Sequence, residues 1–264
     1  MLHNQTKITG MTLLEVSVAS AILGLLVAVT FEIIIVGQKL QMHTVVKDGI
    51  RINAESSLHI IAANFENLSA DSIAGVDSSS GYTPPADATG ILPFVNKDFI
   101  RFRKVIGVSI DGVRSLSNEH YSIGLEPEAG EIPNNGVDDN RNRLVDEYML
   151  VLKQYGTIDG AVNNGGSVAN GNGTILQILT HHVTKETDLQ GKVWDGVGTK
   201  PPQIPGFCIS CDPDSNITQE RAKWKISVSI ALEKIDPTGR FVNQTTGLRQ
   251  SIVTYYKTTT IALK

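Results

Sequence analysis

An α+β architecture is predicted for this 264-residue chain by three observations. An unbroken apolar segment runs from Val16 to Phe31, helix-period apolar spacing continues behind it, and strand-period alternation dominates the C-terminal half. A long helix followed by several strands is the pattern of a helix laid on an antiparallel sheet.

The first element is unusual in its order. Residues 1–9 form a short polar leader with Lys7 as its only fixed charge, the leader ends at Gly10, and Met11-Thr12-Leu13-Leu14-Glu15 leads into the apolar run. An ordinary secretory signal places its cleavage site after the apolar core, so that core leaves with the signal. Here a cut behind Gly10 would keep the apolar helix in the mature chain. Residues 11–36 carry only Glu15 and Glu32 as charges. At ~1.5 Å per residue Glu32 lies about 30 Å from Met11, near the far interface of a bilayer, where a snorkelling glutamate is the expected role. Ala19, Ser20, Ala21 and Gly24 would permit close approach of neighbouring helices.

Glu15 has two readings. A carboxylate near the start of a membrane helix is costly and is by default functional and paired, with the amine of a processed N-terminus as its natural partner. The same residue would also be favoured at a helix N-terminus by the macrodipole alone. The glycine-then-apolar order together with Glu15 resembles the class III leader of type IV pilins and type II secretion pseudopilins. That resemblance implies cleavage by a prepilin peptidase between Gly10 and Met11, N-methylation of Met11, and Glu15 as the carboxylate used in filament assembly. Met11 stands where Phe is usual in the family.

Behind the apolar half, residues 37–75 are expected to form the amphipathic half of the same helix, with Leu58, Ile61, Phe65 and Leu68 on one face. The helix is expected to end near Leu68 or between Ser69 and Gly75. Residues 76–264 then form a β-rich head. Asp77 to Gly90, rich in Ser, Gly, Pro and Asp, reads as a loop. Strands are expected over Asp98–Ile110, Tyr148–Tyr155, Thr174–Val183, the alternating segment Trp224–Glu233, and Ser251–Leu263. The last three, through LQILTHHV, WKISVSIAL and YYKTTTIAL, resemble the C-terminal portion of the minor pilin PilW and pseudopilin J family. The resemblance implies a pilin fold and leaves long loops at 76–97, 111–146 and 184–222 outside it.

Lys and Arg number 23 against 27 Asp and Glu, a formal charge of -4 that becomes -5 without Lys7. An acidic ectodomain offers no basic face for nucleic acid. About 200 residues outside the membrane helix suffice for one domain with a sizeable core.

The sharpest chemical motif is Asn134 to Glu147. Oxygen-bearing side chains at Asp138, Asn140 and Asn142, the Leu144 carbonyl, and Asp146 or Glu147 can surround calcium, a hard cation. The pattern resembles the Asp-rich calcium loops of EF-hand and dockerin type. It departs from them in placing Arg143 where glycine makes the sharp turn and in closing the shell early. An Asx-rich turn that satisfies its own backbone is the alternative.

Cys208 and Cys211 lie in a stretch dense with proline. No helix follows to activate a Cys-x-x-Cys pair, and His181 and His182, adjacent in a strand, are expected on opposite faces, which does not suit zinc. A local disulfide is the reading for a domain outside the cytoplasm, with free thiols the alternative. No phosphate loop, nucleophile elbow or His-Glu-x-x-His helix is present, and no enzymatic role is expected. The resemblance implies a single-pass protein of the bacterial inner membrane with a periplasmic head, later at the tip of a pilus or pseudopilus. Its implied partners are other minor subunits, the major subunit and the peptidase. A calcium-dependent adhesive or ligand-binding head is the alternative function, and a membrane-tethered thiol oxidoreductase a more distant one.

Overall fold

A computed structural model describes residues 12–66, 68, 72–76, 92–132, 139–140, 144, 147–155, 173–184, 186–187, 204–213, 224–236 and 251–263. Among these residues one helix, α1 (Leu13–Phe65), precedes eleven strands: β1 (Ile73–Gly75), β2 (Phe94–Lys97), β3 (Phe99–Val108), β4 (Arg114–Pro127), β5 (Tyr148–Tyr155), β6 (Thr174–Val183), β7 (Glu186–Thr187), β8 (Ile204–Pro205), β9 (Phe207–Pro213), β10 (Trp224–Asp236) and β11 (Ser251–Ala262). The chain divides into two units, residues 1–45 and 46–264.

In the first unit α1 is a helix without cover from the described residues. It is long and apolar enough to cross a membrane, and the apolar window that qualifies it is entirely unburied. Leu25, Phe31 and Ile33 are each more than half exposed. Such a surface is compatible with a single membrane span.

In the second unit the remaining turns of α1 bury a stripe. Ile50, Ala54, Ser57, Leu58, Ile61 and Phe65 are covered, at the three- and four-residue spacing of one helix face. Phe65 meets Phe102 of β3 edge-to-face at 5.4 Å between ring centres. The buried Ser57 hydroxyl donates to Asn53 O at 2.7 Å within the helix and shares contact with Leu179 O of β6 at 2.9 Å. The helix ends earlier than the sequence suggests. The Leu68 amide donates to Phe65 O at 3.0 Å in a closing turn, Leu68 itself is buried, and 73–75 is a short strand.

The strands form a nine-stranded antiparallel sheet in the order β1-β3-β4-β5-β6-β10-β9-β2, with β11 on the other side of β10. Strand β10 organises it. Lys225 to Asp236 pair with β11, Trp224 to Ile230 pair with β9, and Leu232 pairs with Val183 of β6. Since β11 holds one side of β10, β9 and β6 lie end to end along the other. At that junction Ala231 binds both, accepting from Thr184 N at 3.1 Å and donating to Gly206 O at 2.6 Å. A Cβ on Gly206 would lie 1.7 Å from the Thr184 carbonyl oxygen, so the seam requires glycine. Ile226, Val228, Ile230 and Leu232 of β10 face the helix, and the alternate residues face away.

Three expected loops contain strands. β2 lies within 76–97, β4 within 111–146, and β7, β8 and β9 within 184–222. β4 was hidden because Arg114–Pro127 does not alternate cleanly; Ser117, His120 and Ser122 are buried along with Ile123.

Candidate functional site

Two places gather the residues to which the sequence assigns chemistry, one at the start of α1 and one on the head.

At the helix start, Thr12 is the N-cap. Its carbonyl accepts the first helical bond from Val16 N at 3.1 Å. Its hydroxyl accepts from Glu15 N at 3.3 Å, and Glu15 Oε2 accepts from the Thr12 amide at 2.8 Å and the Thr12 hydroxyl at 3.1 Å. This is a reciprocal capping box, whose Thr-x-x-Glu signature was legible but unread in the sequence. Glu15 thus has a local structural role in the monomer, with one carboxylate oxygen holding the helix end. Gly10, Met11 and the leader lie outside the described residues.

On the head, described residues at the two ends of the 128–147 stretch meet. Glu128 N donates to Glu147 O at 3.2 Å, and Glu131 N to Glu128 O at 3.0 Å. Asn140 joins the two ends, its backbone amide donating to Glu131 Oε1 and its side-chain amide to Glu147 Oε1, each at 3.1 Å. Ile132 N donates to Asp139 Oδ2 at 3.1 Å. Gly130 has φ +88°, a conformation that favours glycine, and its missing Cβ would be 3.3 Å from Asn140 Cβ. Glu131, Glu147 and Glu233 of β10 are 8%, 1% and 7% exposed. Burial, followed by the charge of Glu147, pushes the Glu233 carboxyl up to about 7. Of the proposed calcium ligands, Asn140, Leu144 and Glu147 are described, with Leu144 and Glu147 buried. Asp138, Asn142 and Asp146 lie outside the described residues, and among the described ones no three acidic, His or Cys side chains form a metal-ready group.

His181 and His182 depart from expectation. They do not point to opposite faces away from any common partner, because His182 adopts φ 59° and breaks the strand alternation. Both converge on Glu128. His181 Nδ1 lies 3.0 and 3.2 Å from its two oxygens, and His182 donates its backbone amide at 2.8 Å and places Nδ1 at 3.8 Å. Glu128 escaped the sequence reading because nothing in Pro127-Glu128-Ala129 announces that a strand bulge will aim two histidines at it.

No family model, curated protein or solved structure matches this chain.

The local disulfide is corrected. Both thiols are free, and both sit in the regular strand β9 instead of a loop. Cys208 pairs opposite Ser229 and Cys211 opposite Ile226, so they face opposite sides of the sheet. Three residues of strand separate their Cα atoms by about 10 Å, against the ~4.4–6.8 Å a bridge spans. Burial pushes the Cys211 thiol up to about 12, and it raises Cys208 despite a hydrogen bond from Ser229.

Proposed function

We propose that this protein is a non-enzymatic subunit of a type IV pilus or type II secretion pseudopilus, a minor pilin or pseudopilin that primes or caps the filament. The observation that carries this reading is a single helix, Leu13–Phe65, that begins just behind the Gly10-Met11 junction, is apolar to Val36, and buries a stripe from Ile50 to Phe65. A membrane-spanning helix retained behind a leader glycine is what a filament subunit needs. It is stored in the inner membrane and later packed against neighbouring helices. In this reading prepilin peptidase cuts before Met11, and the head lies in the periplasm.

The head also carries a surface suited to other subunits. The β3–β4 turn is held by Ser109 N to Val113 O at 2.8 Å and Gly112 N to Ser109 O at 2.9 Å, and it displays Ile106, Val108, Ile110 and Val113, all well exposed. A rigid apolar tip of this kind marks a protein contact. The raised thiols of Cys208 and Cys211 argue against the oxidoreductase reading, since the thiolate is the reactive form.

Glu15 can be tested apart from its capping role. Glu15→Gln keeps an oxygen for the Thr12 amide and removes the charge. It should abolish filament incorporation while the head remains folded, and a normal filament count would remove the assembly role.

The second reading is a calcium-dependent adhesive head, favoured by three buried carboxylates, Glu131 and Glu147 of the 128–147 stretch and Glu233 of β10. Calcium would be held by Asn140 and Glu147 with Asp138, Asn142, Asp146 and the Leu144 carbonyl, and its charge would offset the repulsion between Glu147 and Glu233. Melting the protein with calcium and with chelator tests this, and equal melting temperatures would dismiss the ion.

A further inference from the structure

A cleft of about 350 Å³ opens on the head between α1, β6 and β10. That is within the ~300–1,000 Å³ of small-molecule sites. Part of its lining is apolar: Ile50, Leu179 and Leu232 are buried, and Ile178 is 43% exposed. Each of the three elements also brings polar groups, Asn53 from α1, His181 and His182 from β6, and Lys234 from β10. An apolar surface with a few convergent polar groups is the composition of a ligand pocket.

Fixed bonds shape the cleft. The Ser57 hydroxyl meets Leu179 O at 2.9 Å and ties β6 to α1. His182, at φ 59°, leaves the strand alternation in a conformation uncommon for any residue with a side chain. Glu128 holds it there, accepting the His182 amide at 2.8 Å and lying 3.0 Å from His181 Nδ1. Strain of this kind collects at binding sites, where the surrounding structure sustains it.

Charge then selects the ligand. Besides the two histidines held by Glu128, the charged residues of the lining are Glu233 and Lys234. Leu232 packs in the core on the helix side of β10, so by alternation Lys234 shares that face and Glu233 turns to the other, where it feels the charge of Glu147. Lys234 is exposed and forms no ion pair among the described residues. Asn53, also exposed, adds an amide with two N–H donors on the facing helix.

We propose that this cleft binds a small organic acid, its carboxylate on the Lys234 ammonium and the Asn53 amide and its hydrocarbon part on Ile50, Ile178, Leu179 and Leu232.

Both parts of the ligand are needed. A bare carboxylate would leave the apolar lining wet, and an amine of the same shape would set like charge against Lys234. A neutral hydrocarbon would bring no acceptor for the lysine and amide donors. Neither the membrane span nor the 138–147 loop contributes a side chain to the cleft, so the site stands or falls apart from the filament and calcium readings.

The test uses the full chain in detergent micelles, with the methyl groups of Ile50, Ile178 and Val27 followed by NMR during titration. Hexanoate should shift the Ile50 and Ile178 signals saturably with a Kd of about 1 mM or tighter, and acetate and hexylammonium should not. Lys234→Met should weaken hexanoate about tenfold or more, while Lys257→Met, in a separate groove beside α1, should leave it unchanged. Ile178→Trp should fill the cleft and abolish the shifts at Ile50. Four results would each overturn the proposal: no saturable shift with hexanoate, equal binding of hexylammonium, an unchanged Kd in Lys234→Met, or shifts of Val27 in step with the head, which would mean partition into the micelle only.

Discussion

The two halves of α1 are one helix written for two solvents. From Leu13 to Val45 its apolar side chains meet nothing in the protein, whereas from Val46 to Phe65 a single stripe is buried against the sheet and the opposite face carries Asp48, Arg51, Glu55 and His59. From Leu13 to Val36 the helix is apolar nearly all round, polar residues enter from Gln38, and from Val46 only one face is apolar. The change in pattern, with no break in the helix, marks where one environment gives way to another. Mutations should therefore have opposite weights in the two halves.

The largest effect is expected at Phe65, which is fully buried and stacked edge-on with Phe102. Phe65→Ala should destabilise the head by about 3–5 kcal/mol in chemical denaturation. Val27→Ala in the front half should leave that transition unmoved. Equal losses at both sites would erase the distinction between the halves.

The next contrast is between an exposed charge and a buried one. Glu32 in the front half is exposed, and Glu233 in the head is buried beside Glu147. A carboxyl whose folded pKa is raised to about 7, from its ordinary 4.5, stays protonated to higher pH in the folded state than in the unfolded. Stability is therefore highest below the unfolded pKa and declines as pH rises through the window from 4.5 to about 7. In chelator-containing buffer the loss should approach about 3 kcal/mol. Glu233→Gln should flatten that slope, and Glu32→Gln should leave it intact.

Gly206→Ala should cost about 2 kcal/mol or more by forcing the Thr184 carbonyl away from the β6–β9–β10 seam. Gly24→Ala in the front half, where a Cβ meets nothing within 4 Å, should not disturb the head. The smallest change is Thr12→Ala, which removes one side of the capping box and should cost about 1 kcal/mol of helix stability, read as fraying of the first turn by hydrogen exchange.

What the sequence disclosed follows the same division. The front half was legible because an apolar run needs no tertiary context to be recognised. β5 and β6 were legible in their observed bounds as compact apolar runs, β10 nearly so by its alternation, and β11 nearly so by its Tyr and Thr content. β9 was not. Proline and glycine at 201–206 signalled a loop, yet residues 207–213 are held on both sides by β10 and β2, a tertiary pairing with no local signature. The same misreading placed Cys208 and Cys211 within reach of one another. The convergence of His181 and His182 on Glu128 depends on one positive φ, which propensity does not encode. At the acidic segment, alternating oxygen-bearing residues were visible, but the burial of Glu131 and the approach of Glu233 come from chain segments far apart in sequence.

The central claim is that the front half is a retained membrane helix behind a removed leader. Its most direct test is the intact mass and N-terminal sequence of the membrane-extracted protein from cells with and without prepilin peptidase. A chain starting at N-methylated Met11 is expected only when the peptidase is present. A chain that begins at Met1 in both would contradict it.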